Sequence, residues 1–537
     1  MAHNDEPTGH TKNAGHTMHL ERHARRVNPA HAITPDELRH VHMVGIGGVG
    51  MSGVARILLD RGYTVTGSDM KDSLTILALR AAGALIATEH KAENLDLTGD
   101  TPTCVVTSFA AIPQDNPELV SARERGIPVV TRSDVLGALL LDHDALLIAG
   151  THGKTSTTSL AVIALQQAGM DPGFAVGGQL SRTGTNAHHG TGSVFVAEAD
   201  ESDASLLTYS PNVAVVTNIE ADHLDFYGSE ESYIHVFDEF ADRIVDGGYL
   251  VVCVDDPHAA ALGERIVQQG NRINVIGYGT SDACTRHPSI PVGAEITEIT
   301  PKPDRTDALI RISLPAHASA ENSGGEANEA DTSTHRVGMH IPGKHMVLNA
   351  VAAIVSSVLV VADRERAVSG VNGFQGVRRR FESHGTIAHG YCEGASVYDD
   401  YAHHPTEVRA VLTAAREKIR AMDPVAGHQR RVIVVFQPHM YSRTEEFASE
   451  FAEALSLADE AIVMDIYGAR EKPIPGVTSD LIIDQMTIPT HAAHRVDEVP
   501  RMVSSIAGPG DIILTMGAGT VTMLADPIAA ALHEPLQ

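Results

Sequence analysis

From residue 41 onward the chain alternates short apolar, β-branched runs with stretches of helical length. Runs such as 63–66 and 104–106, each followed by enough chain for an amphipathic helix, predict strands joined by crossovers, which build a parallel sheet. The pattern restarts at 145–149 and continues through 194–197 and 213–217. It starts a third time at 432–436, 461–464 and 512–514. Three α/β blocks in series are therefore expected, over residues 39–136, 137–371 and 372–537, and no fixed repeat period ties them into a solenoid.

Two segments fall outside this rhythm. Residues 1–38 are polar, with His3, His10, His16, His19, His23 and His31 too irregularly spaced for a metal site, and read as a disordered, solvated tail. Residues 316–335 hold Ala, Ser, Glu, Gly and Asn with almost no apolar bulk, and read as a flexible acidic surface insertion without chemistry of its own.

Length supports the three-domain division, since 537 residues exceed what one core organises. No apolar run is long enough to span a bilayer, and the N-terminus lacks a secretion signal, so a cytoplasmic location is expected. Cys104, Cys253, Cys284 and Cys392 lack metal-ligand spacing and read as reduced structural thiols. A formal charge of −28 argues against nucleic-acid binding through a broad basic face. An anionic substrate must then meet local cationic pockets.

The candidate chemistry sits where strands end. Residues 145–149 run into Gly150, Thr151, His152, Gly153, Lys154, Thr155 and Ser156. Glycines let backbone N–H groups close around a polyphosphate, the lysine neutralises charge, and a hydroxyl at the helix start can hold Mg2+. Ile148 replaces the first glycine of the full Walker spacing, so an ordinary strand-to-helix turn stays open on this segment alone. Earlier, Gly45, Gly47, Gly48 and Gly50 form a GxGxxG turn after a strand, with Met51 opening the next helix and Asp69 ending the next strand where a ribose-binding acid would stand. That setting fits a Rossmann-like domain and a pyrophosphate ligand. A dinucleotide-dependent dehydrogenase remains an alternative for this block by itself.

Further strand ends supply Glu198, Asp200, Glu201 and Asp203, then Asn218, Asp222 and His223, in positions suited to a metal and nucleotide site. The third block places Asp399, Asp400, His403, His404 and Glu407 after one strand, and Gln437, His439, Met440 and Arg443 after another. Thr406 could cap the helix that starts there.

Taken in order, the segments 45–51, 150–155, 198–203, 218–223, 343–349, 379–382, 399–407 and 437–444 resemble the Mur ligase family, from about residue 41 to the 517–520 turn. The resemblance implies a Rossmann-like N-terminal domain binding a UDP-sugar through Gly45, Gly47, Gly48, Gly50, Met51 and Asp69. It implies a central P-loop ATPase-like parallel sheet domain and a C-terminal Rossmann-like α/β domain that binds an amino acid. ATP would lie against residues 150–156, Asn349, Arg380 and Asp400, with Mg2+ on Thr155, Glu198 and His223. Lys154, Arg380, His403, His439 and Arg443 would carry catalysis. The implied reaction activates the lactyl carboxylate of UDP-N-acetylmuramate as an acyl phosphate and joins it to L-alanine. A monomer–dimer equilibrium is a separate expectation, on which the residues themselves are silent.

Two departures bear on specificity. Members adding later amino acids commonly carry a modified lysine after the metal-site histidine, whereas no lysine occurs here between Lys154 and Lys302, which favours alanine addition. Met440 stands where many alanine-adding members have a basic residue. A recycling ligase that joins a whole peptide to the same sugar nucleotide is the alternative within the family, and a non-catalytic nucleotide-binding regulator the alternative outside it.

Overall fold

The computed structural model describes residues 33–533 apart from 109–110, 271, 315–330, 361, 426 and 470. The tail up to residue 32 and residues 316–330 of the expected insertion lie outside the described residues.

The first sheet contains β1 (His40–Val44), β2 (Thr64–Asp69), β3 (Leu85–Thr88), β4 (Cys104–Thr107) and β5 (Val129–Thr131) in the order β3-β2-β1-β4-β5, all pairs parallel. Its strand order reverses beside β1, so the turn after β1 opens into the crevice where such sheets bind ligands. Residues 33–38, read as tail, belong to this domain. Ile33 and Leu38 bury with Val41, Val54 and Val65, and Pro35–Leu38 forms a 3-10 turn, because two apolar side chains have a core within reach.

The second sheet has ten strands: β6 (Asp144–Ala149), β7 (Gly173–Ala175), β8 (Ala187–His188), β9 (Val194–Glu198), β10 (Val213–Val216), β11 (Tyr249–Cys253), β12 (Asn274–Thr280), β13 (Val292–Pro301), β14 (Thr306–Leu314) and β15 (Asp331–Met339). β6 lies between β10 and β9 and is parallel to both. The sheet is mixed, since β13, β14 and β15 pair antiparallel, as do β7 and β8. β15 corrects the reading of 331–335 as insertion: Thr332 to His335 pair with Ser313 to Ile310. A polar strand at a sheet edge carries no apolar alternation to betray it.

β6 shows how this sheet holds the domains together. Leu146 and Ile148 point into a core shared with the helix Lys344–Leu359 and the C-terminal domain, whereas Ala145, Leu147 and Ala149 face a core continuous with the N-terminal domain. Strand alternation thus gives each neighbouring domain one face.

The third sheet orders β16 (Glu382–Thr386), β17 (Ser396–Asp400), β18 (Val432–Phe436), β19 (Glu460–Met464), β20 (Thr490–Ala493) and β21 (Ile512–Met516) as β16-β17-β21-β18-β19-β20, parallel except for β16. All four cysteines are buried and free. No helix among the described residues is long and apolar enough to cross a membrane.

Candidate active site

Because β10, β6 and β9 are neighbours, their carboxyl ends bring residues 217–223, 150–153 and 198–203 side by side. The loop after β6 has a shape that glycine alone takes without strain. Gly150 has φ +124° and a Cβ there would lie 2.2 Å from Thr217 Oγ1; Gly153 has φ +84° and would press on Asn349 Oδ1 at 2.8 Å. Asn218 clamps the loop from both sides, accepting from the His152 N–H at 2.8 Å and donating to its carbonyl at 2.9 Å. Thr217 donates to the same carbonyl at 2.6 Å.

Lys154 opens the following helix and turns back over the loop. Its Nζ donates to the carbonyls of Gly150 at 2.7 Å and Thr151 at 3.1 Å and pairs with Glu201 at 2.7 Å. Burial pulls the ammonium down, but Glu201 and Asp200 outweigh it and its pKa stands above the ordinary value. Burial pushes Glu201 up to about 7 although Lys154 pulls it down. Burial also raises Glu198, whose Oε1 accepts from the Gly177 N–H at 2.6 Å. The loop lysine is thus parked on a carboxylate in a pocket of acids.

Three cavities meet here. A cleft of about 920 Å³ is lined by Thr151, His152, Gly153, Lys154, Thr155, Glu198 and His223 of the central domain, by Ser52 and Arg56 of the N-terminal domain, and by Arg380, His403 and Glu407 from the C-terminal side. A pocket of about 370 Å³ over the first glycine turn contains Gly45, Gly48, Gly50, Met51 and Arg132 and shares Glu198 and Asp200 with the cleft. A pocket of about 200 Å³ contains Gly153, Ser156, His345, Asn349, Arg380 and Asp400. Residues expected to bind sugar nucleotide, phosphates and nucleoside therefore occupy adjoining spaces.

Several expected residues have other duties. Gly47 and Asp69 do not line the pocket over the turn: Asp69 accepts from the backbone N–H of Gly47 at 2.9 Å and of Lys71 at 3.2 Å, bracing the turn from behind. Asp400 likewise accepts from the N–H groups of Phe381 and Ala402, both at 2.8 Å, and burial pushes it up to about 6. It fixes a linker in which Arg379 and Phe381 adopt φ +62° and +50°. Arg443 pairs with Asp222 at 3.0 Å across the domain boundary. Burial works against that carboxylate, yet Arg443 and His223 hold it well below the usual range. His439 stacks on Tyr467 with ring centroids 5.8 Å apart, lies 5.8 Å from the His403 ring, and is lowered to about 4 by burial and by His403. Neither His439 nor Arg443 lines the three cavities. His403 does; its Nδ1 lies 3.2 Å from Glu407 Oε2 and 3.1 Å from the Tyr401 carbonyl.

Sequence reasoning passed over three residues. His345, lowered to about 4 by burial, shares a helix face and a pocket with Asn349, and the four-residue spacing was its signal. Arg132, first in the helix after β5, lies across Gly50, where a Cβ would meet its side chain at 3.0 Å. Tyr401 sits under Arg379 and Arg380, 4.7 and 5.3 Å from its ring centre. Among the described residues, His152, Glu220 and His404 bring possible metal-ligand atoms together, but His152 already bonds Glu220.

The fold and site define a three-domain α/β protein assembled around one phosphate loop. Residues 40–143 match the description "Mur ligase family, catalytic domain", 148–357 "Mur ligase middle domain" and 379–519 "Mur ligase, glutamate ligase domain". The chain belongs to the Mur ligase family. It is 52% identical over 507 residues to the UDP-N-acetylmuramate--L-alanine ligase of Rhodococcus erythropolis, covering 93% of this chain and 98% of that one. The enzyme of the same name from Mycolicibacterium smegmatis is 52% identical over 500 residues, covering 93% and 96%. The crystal structure of the UDP-N-acetylmuramate-alanine ligase of Thermotoga maritima superposes with a TM-score of 0.69 at 25% identity, covering 92% of this chain and 99% of that one.

Proposed function

We propose that the protein uses ATP to join L-alanine to the lactyl carboxylate of UDP-N-acetylmuramate, giving UDP-N-acetylmuramoyl-L-alanine, ADP and phosphate for peptidoglycan precursor synthesis. The observation that carries this reading is the cleft in which the loop lysine, the Arg132 pocket and His403 open onto one another. The relatives that share half of the sequence over nearly its whole length bear the name of that reaction.

The chemistry follows from the leaving group. A carboxylate is a poor acyl donor, so phosphoryl transfer from ATP first gives an acyl phosphate. Lys154 exchanges Glu201 for the transferring phosphoryl group, and Arg380 adds charge from the C-terminal side. Arg132 meets the diphosphate of the sugar nucleotide over the glycine turn. Mg2+, when bound, would supply further positive charge to the transferring phosphoryl group. Thr155 and Glu198 would hold it, since hydroxyl and carboxylate oxygens are hard donors, and His223 lines the same cleft and could add a ring nitrogen. His403 holds a proton on Nδ1 toward Glu407 and Tyr401, which leaves its other ring nitrogen to accept the proton of the attacking amine. The docked C-terminal domain excludes water that would hydrolyse the acyl phosphate.

Phosphate release by the full-length protein with ATP and Mg2+ tests the proposal. Turnover that needs UDP-N-acetylmuramate and L-alanine together is the expected result; turnover with an L-alanyl tripeptide in place of L-alanine would move the assignment to a recycling ligase. A cytoplasmic location and a monomer–dimer equilibrium belong to the same proposal, with fractionation and sedimentation as their measurements.

A further inference from the structure

Four side chains, two from each domain, close a ring between the phosphate loop and the C-terminal domain. His152 sets Nε2 3.2 Å from Glu220 Oε2 and Nδ1 3.3 Å from Glu407 Oε1. Thr406 Oγ1 donates to the other oxygen of Glu220 at 2.5 Å. Glu220 follows β10, while Thr406 and Glu407 lie in the first turn of the helix Pro405–Arg420. The His152 and Glu407 side chains are 14% and 12% exposed, so little water screens the pair.

Each end of the bridge is anchored. Asn218 fixes the His152 backbone to the central domain through two hydrogen bonds. On the other side, Glu407 Oε2 accepts from the His403 N–H at 3.0 Å and faces His403 Nδ1 at 3.2 Å, with Arg380 Nη1 4.0 Å from Oε1. One carboxylate thus holds the helix start that presents His403, the linker arginine and the loop imidazole. His404 packs 4.9 Å from the His152 ring but its nitrogens find no hydrogen-bond partner, so the bridge is carried by the carboxylates. Withdrawing the C-terminal domain removes Glu407 and Thr406 together and leaves the loop only Asn218, Glu220 and its other central-domain contacts.

We infer that Glu407 is a positioning residue for nucleotide binding: through His152 it makes the binding-competent shape of the phosphate loop depend on the docked C-terminal domain. This rests on the reading of the loop as an ATP site. Linkage then requires the converse, that nucleotide strengthens docking by the same factor.

The test is calorimetric titration of ATP with Mg2+ into the full-length wild type, Glu407→Gln, His152→Gln and the double variant, with no other substrate. Glu407→Gln keeps the size and the backbone acceptor but removes the charge facing His152. It is expected to weaken ATP about tenfold, with a similar loss for His152→Gln and no further loss in the double variant. Additive losses, or unchanged affinity in Glu407→Gln, would overturn the inference. Thr406→Val opens the ring at an exposed position and serves if Glu407→Gln folds poorly; its expected loss, about threefold, must disappear in the His152→Gln background. A wild type that fails to bind ATP sinks the ATP reading and this inference together, whereas a wild type that binds while the variants bind equally sinks only the role of Glu407.

Discussion

The two glycine turns, 45–50 and 150–153, share a plan and differ in what braces them. In the first, the Gly47 N–H meets Asp69 of the adjacent strand end and the side chains of Ile112 and Arg132 close over Gly45 and Gly50, all from its own domain, while Asn186 of the central domain donates to the Val49 carbonyl at 2.9 Å. In the second, Thr217, Asn218 and Glu201 reach in from two neighbouring strand ends, Asn349 closes over Gly153 from a distant helix, and Glu407 reaches in from the next domain. A turn braced mostly from its own domain is a platform that depends little on where the other domains stand. A turn braced from several places can change shape when one of them moves, and this one carries the buried charges that phosphoryl transfer requires.

The sharpest break of this contrast comes from exchanging the cation of each turn for methionine. Lys154→Met is expected to lower phosphate release roughly 10²–10³-fold at saturating substrates, the loss typical of one preorganised charge at a reacting centre. Arg132→Met is expected to raise the KM for sugar nucleotide about tenfold with little change in kcat, as for uniform binding of a part that does not react. Equal effects on kcat would erase the distinction between platform and reaction loop.

Glycine substitutions come next. Gly150→Ala puts a Cβ 2.2 Å from Thr217 Oγ1 at φ +124°, and should cost roughly 2–3 kcal/mol in denaturant unfolding while weakening ATP. Gly48 has φ −60° and meets nothing within 3.5 Å closer than the Gly45 carbonyl, so Gly48→Ala should leave stability unchanged or raise it by up to about 1 kcal/mol. Destabilisation of similar size at both positions would mean that the two turns are equally constrained.

This contrast also marks how much could be read in advance. Periodicity was enough for the three blocks, because buried parallel strands such as Leu146 to Ala149 read as continuous apolar runs. It failed at Asp331 to His335, a polar edge strand, and at Ile33 and Leu38, two apolar residues in a polar tract. Motif residues named from local sequence gathered where a strand end projects them, as with Lys154, Glu198 and His223 around the cleft. Contacts whose partners arrive from elsewhere in the chain were not legible in advance. Asp69 and Asp400 brace backbone N–H groups, Arg443 finds Asp222, and the bridge between His152 and Glu407 spans 255 positions, a pairing that no spacing rule encodes.

A smaller effect sharpens the account of the first turn. Asp69→Ala leaves the Gly47 N–H without its acceptor, at a cost of about 1 kcal/mol in unfolding free energy, since solvent can partly replace the carboxylate. Sugar-nucleotide KM should rise modestly and ATP affinity should not move. A change in ATP affinity would show that the platform is coupled to the loop after all.

The smallest effect concerns pH and separates the turns by charge. Burial works against protonated His152, but Glu220 and Glu407 outweigh it and raise its pKa from 6.5 to about 9. A raised pKa in the folded state means that the bridge contributes fully below about pH 6.5, where the unfolded chain is protonated too, and is lost as pH rises through about 9. The thermal midpoint of the wild type should therefore fall between pH 7 and pH 9.5. Glu407→Gln removes one of the two carboxylates that hold the proton, so its midpoint should begin lower and fall less over the same range. Parallel declines in the two proteins would place the alkaline loss elsewhere in the molecule. Asp69→Ala, whose turn holds no imidazole between carboxylates, should decline in parallel with the wild type, because its defect is a missing acceptor and carries no proton.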